Sequence, residues 1–62
     1  MSANEVLLHG HMVGREVMVR FKQAYVAAVA AQRYTFKFDG QEVLTAYAKY
    51  VVEYAELSLG VL

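Results

Sequence analysis

The sequence predicts an all-α fold: a helical hairpin with a long first helix, a short extended aromatic connector and an amphipathic second helix, forming a dimeric four-helix-bundle-like assembly. Three observations predict it. Val43, Tyr47, Tyr50, Tyr54 and Leu57 recur at alternating spacings of four and three with Leu44, Ala48, Val51 and Ala55 beside them, a wide apolar face, and Val17, Phe21, Ala24, Ala28 and Ala31 share one side of an earlier helical stretch. The chain is also too apolar for its size: 62 residues, 58% hydrophobic, with a mean hydropathy of +0.28. A domain of this length buries only roughly 60% of the surface its unfolded chain exposes. The surplus apolar surface predicts association.

The first helix is expected over 15–32, with Met18 and Tyr25 widening its apolar side and Val19 and Val26, seven residues apart, forming a second one. A helix apolar on two sides is expected to touch more than its own chain. Val6, Gly10 and Val13 continue the same spacing upstream, so one helix from about Asn4 is possible, although Gly10 and Gly14 make a break equally credible. A strand reading of residues 16–22 also exists, and the alanines that follow favour helix.

Residues 33–38 alternate aromatic and polar, which is the signature of a strand with Tyr34, Phe36 and Phe38 on one face. A lone strand cannot satisfy its backbone. It either pairs with the same segment of a second chain about a two-fold axis or acts as a connector whose aromatics plug the bundle. Asp39, with Gly40 and Glu42, then reads as the start of the second helix, expected from about residue 40 to 58. The whole chain reads as one small helical domain, 1–62, without an evident internal repeat.

Six basic and six acidic side chains cancel, but unevenly. Residues 1–38 carry Arg15, Arg20, Lys22, Arg33 and Lys37 against Glu5 and Glu16, a balance of +3. Residues 39–62 carry Lys49 against Asp39, Glu42, Glu53 and Glu56, a balance of −3. The two halves are electrostatically complementary, which favours their lying side by side.

Chemistry finds little support. There is no cysteine, so no disulfide framework, no thiolate metal site and no cysteine nucleophile. Ser2 and Ser58 lack an accompanying histidine and acid, and the isolated glycines form no phosphate-binding loop. His9 and His11, with Glu5 a few residues before, are too few for the three or four ligands a metal requires. No enzymatic activity, cofactor or metal is expected. No run approaches the twenty apolar residues of a membrane span, and the N-terminus lacks a basic leader and a small-residue cleavage site. A cytoplasmic location is expected.

The tyrosines point instead to binding. Tyr47, Tyr50 and Tyr54 line one side of the second helix, and tyrosine suits a boundary with its ring inward and its hydroxyl at a wet rim. The expected function is a small interaction protein, adaptor or inhibitor in type, that acts as a homodimer and binds another protein. Its expected interface residues are Val19, Phe21, Tyr25, Val26, Phe36, Tyr47, Tyr50 and Tyr54. The alternative is a dimeric DNA-binding regulator whose Arg15, Arg20, Lys22, Arg33 and Lys37 contact phosphates. Zero net charge weakens that footprint.

Overall fold

Two successive hairpin–helix units make up the chain in a computed structural model, which describes residues 5–62. The first unit comprises strands β1 (Glu5–Leu8) and β2 (His11–Gly14) and helix α1 (Arg15–Ala30); the second comprises β3 (Thr35–Phe38), β4 (Gln41–Leu44) and helix α2 (Thr45–Leu59). Each strand and helix of the second unit begins 30 residues after its counterpart in the first. The expected all-α helical hairpin and four-helix bundle are therefore incorrect: the fold is mixed α/β and carries a structural repeat. Across that offset only Gly10/Gly40 and Val13/Val43 are identical, which is why the repeat is invisible as sequence.

The hairpins arise at two loops of two residues each. His9-Gly10 joins β1 to β2 and Asp39-Gly40 joins β3 to β4, with φ of 52° and 83° in the first and 51° and 77° in the second. Positive φ at both central residues defines a type I′ turn, whose twist matches that of antiparallel strands. Glycine occupies the second position of each because a side chain there disfavours this backbone. The pairs Leu8↔His11 and Phe38↔Gln41 close the two hairpins.

These turns correct several expectations. Asp39 and Gly40 do not start a helix; they reverse a strand, and residues 41–44 pair with residues 35–38 in the same chain. The aromatic segment therefore needs no second chain as its mate, and it is not a connector. Tyr34 precedes β3 and is exposed, so only Phe36 and Phe38 point inward. Gly10 bends a hairpin rather than sitting within a long helix, and residues 16–22 are helical. The expected helical start at Asn4 lies outside the described residues.

The two hairpins form separate two-stranded sheets, and each is covered by helices. Helix α1 packs on β2 of its own unit and on β3 of the other, while α2 packs on β4 and reaches across to β1. The two helices also pack on each other. This exchange gives the chain an approximate two-fold relation between its halves. Val6 and Leu8 enter the core from β1, Phe36 and Phe38 from β3 and Val43 from β4. Met18, Phe21 and Ala28 enter from α1, and Ala48, Val52, Ala55 and Leu59 from α2.

Only one edge of the expected apolar face of α2 is buried. Ala48, Val52, Ala55 and Leu59, spaced four, three and four, face the core, and Tyr47, Tyr50, Tyr54 and Leu57 remain exposed. Small side chains suffice on α2 because the large ones come from elsewhere: Phe21 and Met18 are fully buried. Phe21 sits edge-on to Phe36 and Phe38.

The end of α1 and the start of α2 are anchored by hydrogen bonds to backbone carbonyls. At the end of α1 the Gln32 N–H donates to the Val29 carbonyl at 3.0 Å and the Arg33 N–H to the Ala28 carbonyl at 2.8 Å. With Gln32 left-handed at φ 56°, this is the Schellman pattern that satisfies a helix's last carbonyls. Thr45 begins α2 by donating its N–H to the Tyr34 carbonyl at 2.9 Å and its hydroxyl to the Arg33 carbonyl at 2.8 Å.

Candidate functional site

The second hairpin fixes which way α2 faces. Its core stripe through Ala48, Val52, Ala55 and Leu59 leaves Tyr47, Tyr50 and Tyr54 on the solvent side, exposed by 53%, 66% and 59%. Strand β1 contributes the opposite wall. Val6 and Leu8 point inward, so Leu7 between them must point outward. Leu7, Tyr47, Tyr50, Val51 and Tyr54 together line a shallow apolar groove of about 230 Å³. Lys49 lies with its ammonium 5.9 Å from the centre of the Tyr50 ring, within cation–π range.

The tyrosine groove faces away from α1. Glu56, on the other flank of α2, bonds Lys22 of α1 at 2.8 Å and accepts the Leu62 N–H at 3.3 Å. The hydrogen bond from Lys22 and then that from Leu62 hold the Glu56 carboxyl below its usual range, with partial burial opposing.

A second apolar groove, of about 400 Å³, runs along α1 itself. Val19, Gln23, Val26, Ala27 and Ala30 form its floor, and Lys22 and the C-terminal Leu62 form its edge. A third cleft, of about 300 Å³, lies where the tips of the two hairpins meet, bordered by His9 and His11 on one side and Asp39 and Gln41 on the other. Among the described residues no group of three or more histidines and acids is disposed to hold a metal ion.

The residues singled out from sequence therefore divide. Phe21 and Phe36 lie in the core and present no surface to a partner. Tyr25 is half-buried against that core. Val19 and Val26 belong to the α1 groove, and Tyr47, Tyr50 and Tyr54 to the other. Val51 was expected on the apolar face of the second helix but not at the interface, and Leu7 was not singled out; strand alternation in residues 5–8 is the signal that places Leu7 outward.

The cations do not gather into one surface. Arg15 donates to the Val61 carbonyl at 2.9 Å, Arg20 lies 5.9 Å from the centre of the Phe38 ring, and Lys22 pairs with Glu56. Arg33 donates to the Thr35 carbonyl at 3.3 Å, and Lys37 points outward from β3. On α1, Arg20 and Lys22 are two residues apart and project to opposite sides.

Comparison with protein-family models, with curated proteins and with solved structures gives no match. Among the described residues no helix is long and apolar enough to cross a membrane.

Proposed function

We propose that this chain is a small non-enzymatic interaction module, adaptor or inhibitor in type, that self-associates and binds a second protein through the tyrosine groove. One observation carries the reading: three tyrosines, each more than half exposed, line one groove with Leu7 and Val51. Contiguous exposed apolar surface is costly in water and marks interaction sites. Tyrosine concentrates at binding hot spots because a rigid ring supplies contact area while its hydroxyl stays at a wet rim. The groove is shallow, as suits a protein surface rather than a small substrate.

Affinity purification from the native host, with wild type and Tyr50→Ala/Tyr54→Ala in parallel, tests this. Both side chains are exposed, so the variant is expected to keep its helical circular dichroism. A protein retained by the wild type, lost with the variant and rebinding in purified form supports the reading. Identical retention by both proteins overturns it.

A further inference from the structure

We infer that residues 60–62 form a latched strap, which closes one wall of the apolar groove along α1 and is released when Glu56 takes up a proton. Gly60 carries the chain out of α2 at φ 88°, and the segment then folds back onto α1. Two hydrogen bonds hold it there, and an ion pair fixes one of the acceptors. Arg15 donates to the Val61 carbonyl at 2.9 Å. Glu56 accepts the Leu62 N–H at 3.3 Å through the same Oε2 that takes the Lys22 ammonium at 2.8 Å. Arg15 and Lys22 are seven residues apart, two turns of α1, so they stand on one side of the helix. The Leu62 side chain is half-buried against the core, whereas Val61 is 84% exposed.

The wall and its lock share residues. Lys22 and Leu62 border the groove, and one carboxylate oxygen holds both of them. A neutral Glu56 carboxyl gives up the ion pair and accepts the amide more weakly, so a single proton loosens both members of that wall. Protons can reach it: the side chains of Lys22 and Glu56 keep 31% and 30% of their surface exposed. The core has nothing comparable to lose in acid. Among the described residues no polar or charged side chain is buried, and Lys22 with Glu56 makes the one ion pair. The two hairpin–helix units therefore stay packed by apolar contacts at a pH where the strap is free.

The charges around Glu56 set the direction. Lys22 faces it from α1, with Arg15 two turns earlier on the strap itself. Glu53, one turn before it on α2, is exposed, as are Glu5 of β1 and Glu42 of β4, the two strands that also pack on α2. The hydrogen bond from Lys22 first, and then that from Leu62, hold the Glu56 carboxyl below its ordinary range. The strap is therefore shut above the ordinary carboxyl pKa of about 4.3 and opens as pH falls through the lower, latched value.

Backbone ¹⁵N relaxation on the full chain between pH 7 and pH 3 tests this. At pH 7 the order parameters of Val61 and Leu62 are expected near the rigid-backbone value of roughly 0.85, falling below about 0.6 in acid while those of α1 and α2 hold. Glu56→Gln is expected to abolish the change between the two pH values, and Arg15→Met, which weakens the closed strap, to move the release to higher pH. Glu53→Gln should behave as wild type. Order parameters already low at pH 7, or still high at pH 3, overturn the inference. So does a release that coincides with loss of helix order, which is unfolding, or one that persists in Glu56→Gln or keeps the wild-type midpoint in Arg15→Met.

Discussion

The ring of Phe21 meets Phe38 nearly at right angles, with centroids 5.2 Å apart and planes at 83°. It meets Phe36 at 5.8 Å and 61°. A helix of the first unit is thereby keyed into a strand of the second, in the edge-to-face geometry aromatic pairs favour. Phe21→Ala is expected to cost about 3–5 kcal/mol, comparable with the roughly 3–9 kcal/mol total typical of a chain this long. Urea denaturation followed by circular dichroism should show this variant largely unfolded at 37 °C, and Phe21→Leu much less affected.

Gly10 and Gly40 hold φ of +83° and +77°, and a Cβ at either position would meet nothing within 4 Å. The cost of substitution is therefore conformational rather than steric. Gly40→Ala should destabilise by about 1–2 kcal/mol. A synthetic chain with D-alanine at residue 40, which prefers that backbone, should match or exceed wild type by up to about 1 kcal/mol. Thermal denaturation of the three chains checks the order.

Gln32 adopts φ 56° at the end of α1, a position where glycine is the usual occupant. Gln32→Gly is expected to raise stability by up to about 1 kcal/mol, because it removes left-handed strain while keeping both backbone bonds. Gln32→Val should lower it, since a β-branched side chain tolerates that conformation poorly. Guanidinium melts of the two variants should move in opposite directions.

Acid should loosen the contact between α1 and α2. Glu56 is held below its ordinary range by Lys22 and then by the Leu62 N–H, so the folded state binds its proton less readily than the unfolded chain does. The stabilisation is present above the unfolded carboxyl pKa of about 4.3 and is lost as pH falls through the lower, folded value. Thermal melts from pH 7 to pH 2 should show a decline for wild type that is shallower in Glu56→Gln, the difference lying in the acid limb below pH 4.5.

Both helices were legible from spacing because 3.6-residue periodicity survives in residues 15–30 and 45–59. So was the strand character of residues 35–38, from alternation. Their mates were not. Val43 stands four residues before Tyr47, so β4 extends the helical pattern of α2 backwards without a break. Asp39-Gly40 fits a helix start as well as a hairpin turn, and only the strand it pairs decides between them. Val6, Gly10, Val13 and Val17 counterfeit a helix in the same way, although Val6 and Leu8 in fact share the inward face of a strand. At the candidate site, the tyrosine stripe was legible as a surface feature. Spacing put it on one wide apolar face together with Ala48 and Ala55, and only the small side chains of that face turn inward.

The way α1 reaches β3 while α2 reaches β1 bears on synthesis as well as on the finished molecule. A nascent chain that has emerged only through Gln32 contains the residues of β1, β2 and α1, yet Phe21 has neither Phe36 nor Phe38 to close over it. The shared core can close only once β3 and α2 have been added. Once complete, the chain should open as one cooperative unit, with amide hydrogens in β1 and α2 exchanging together rather than half by half.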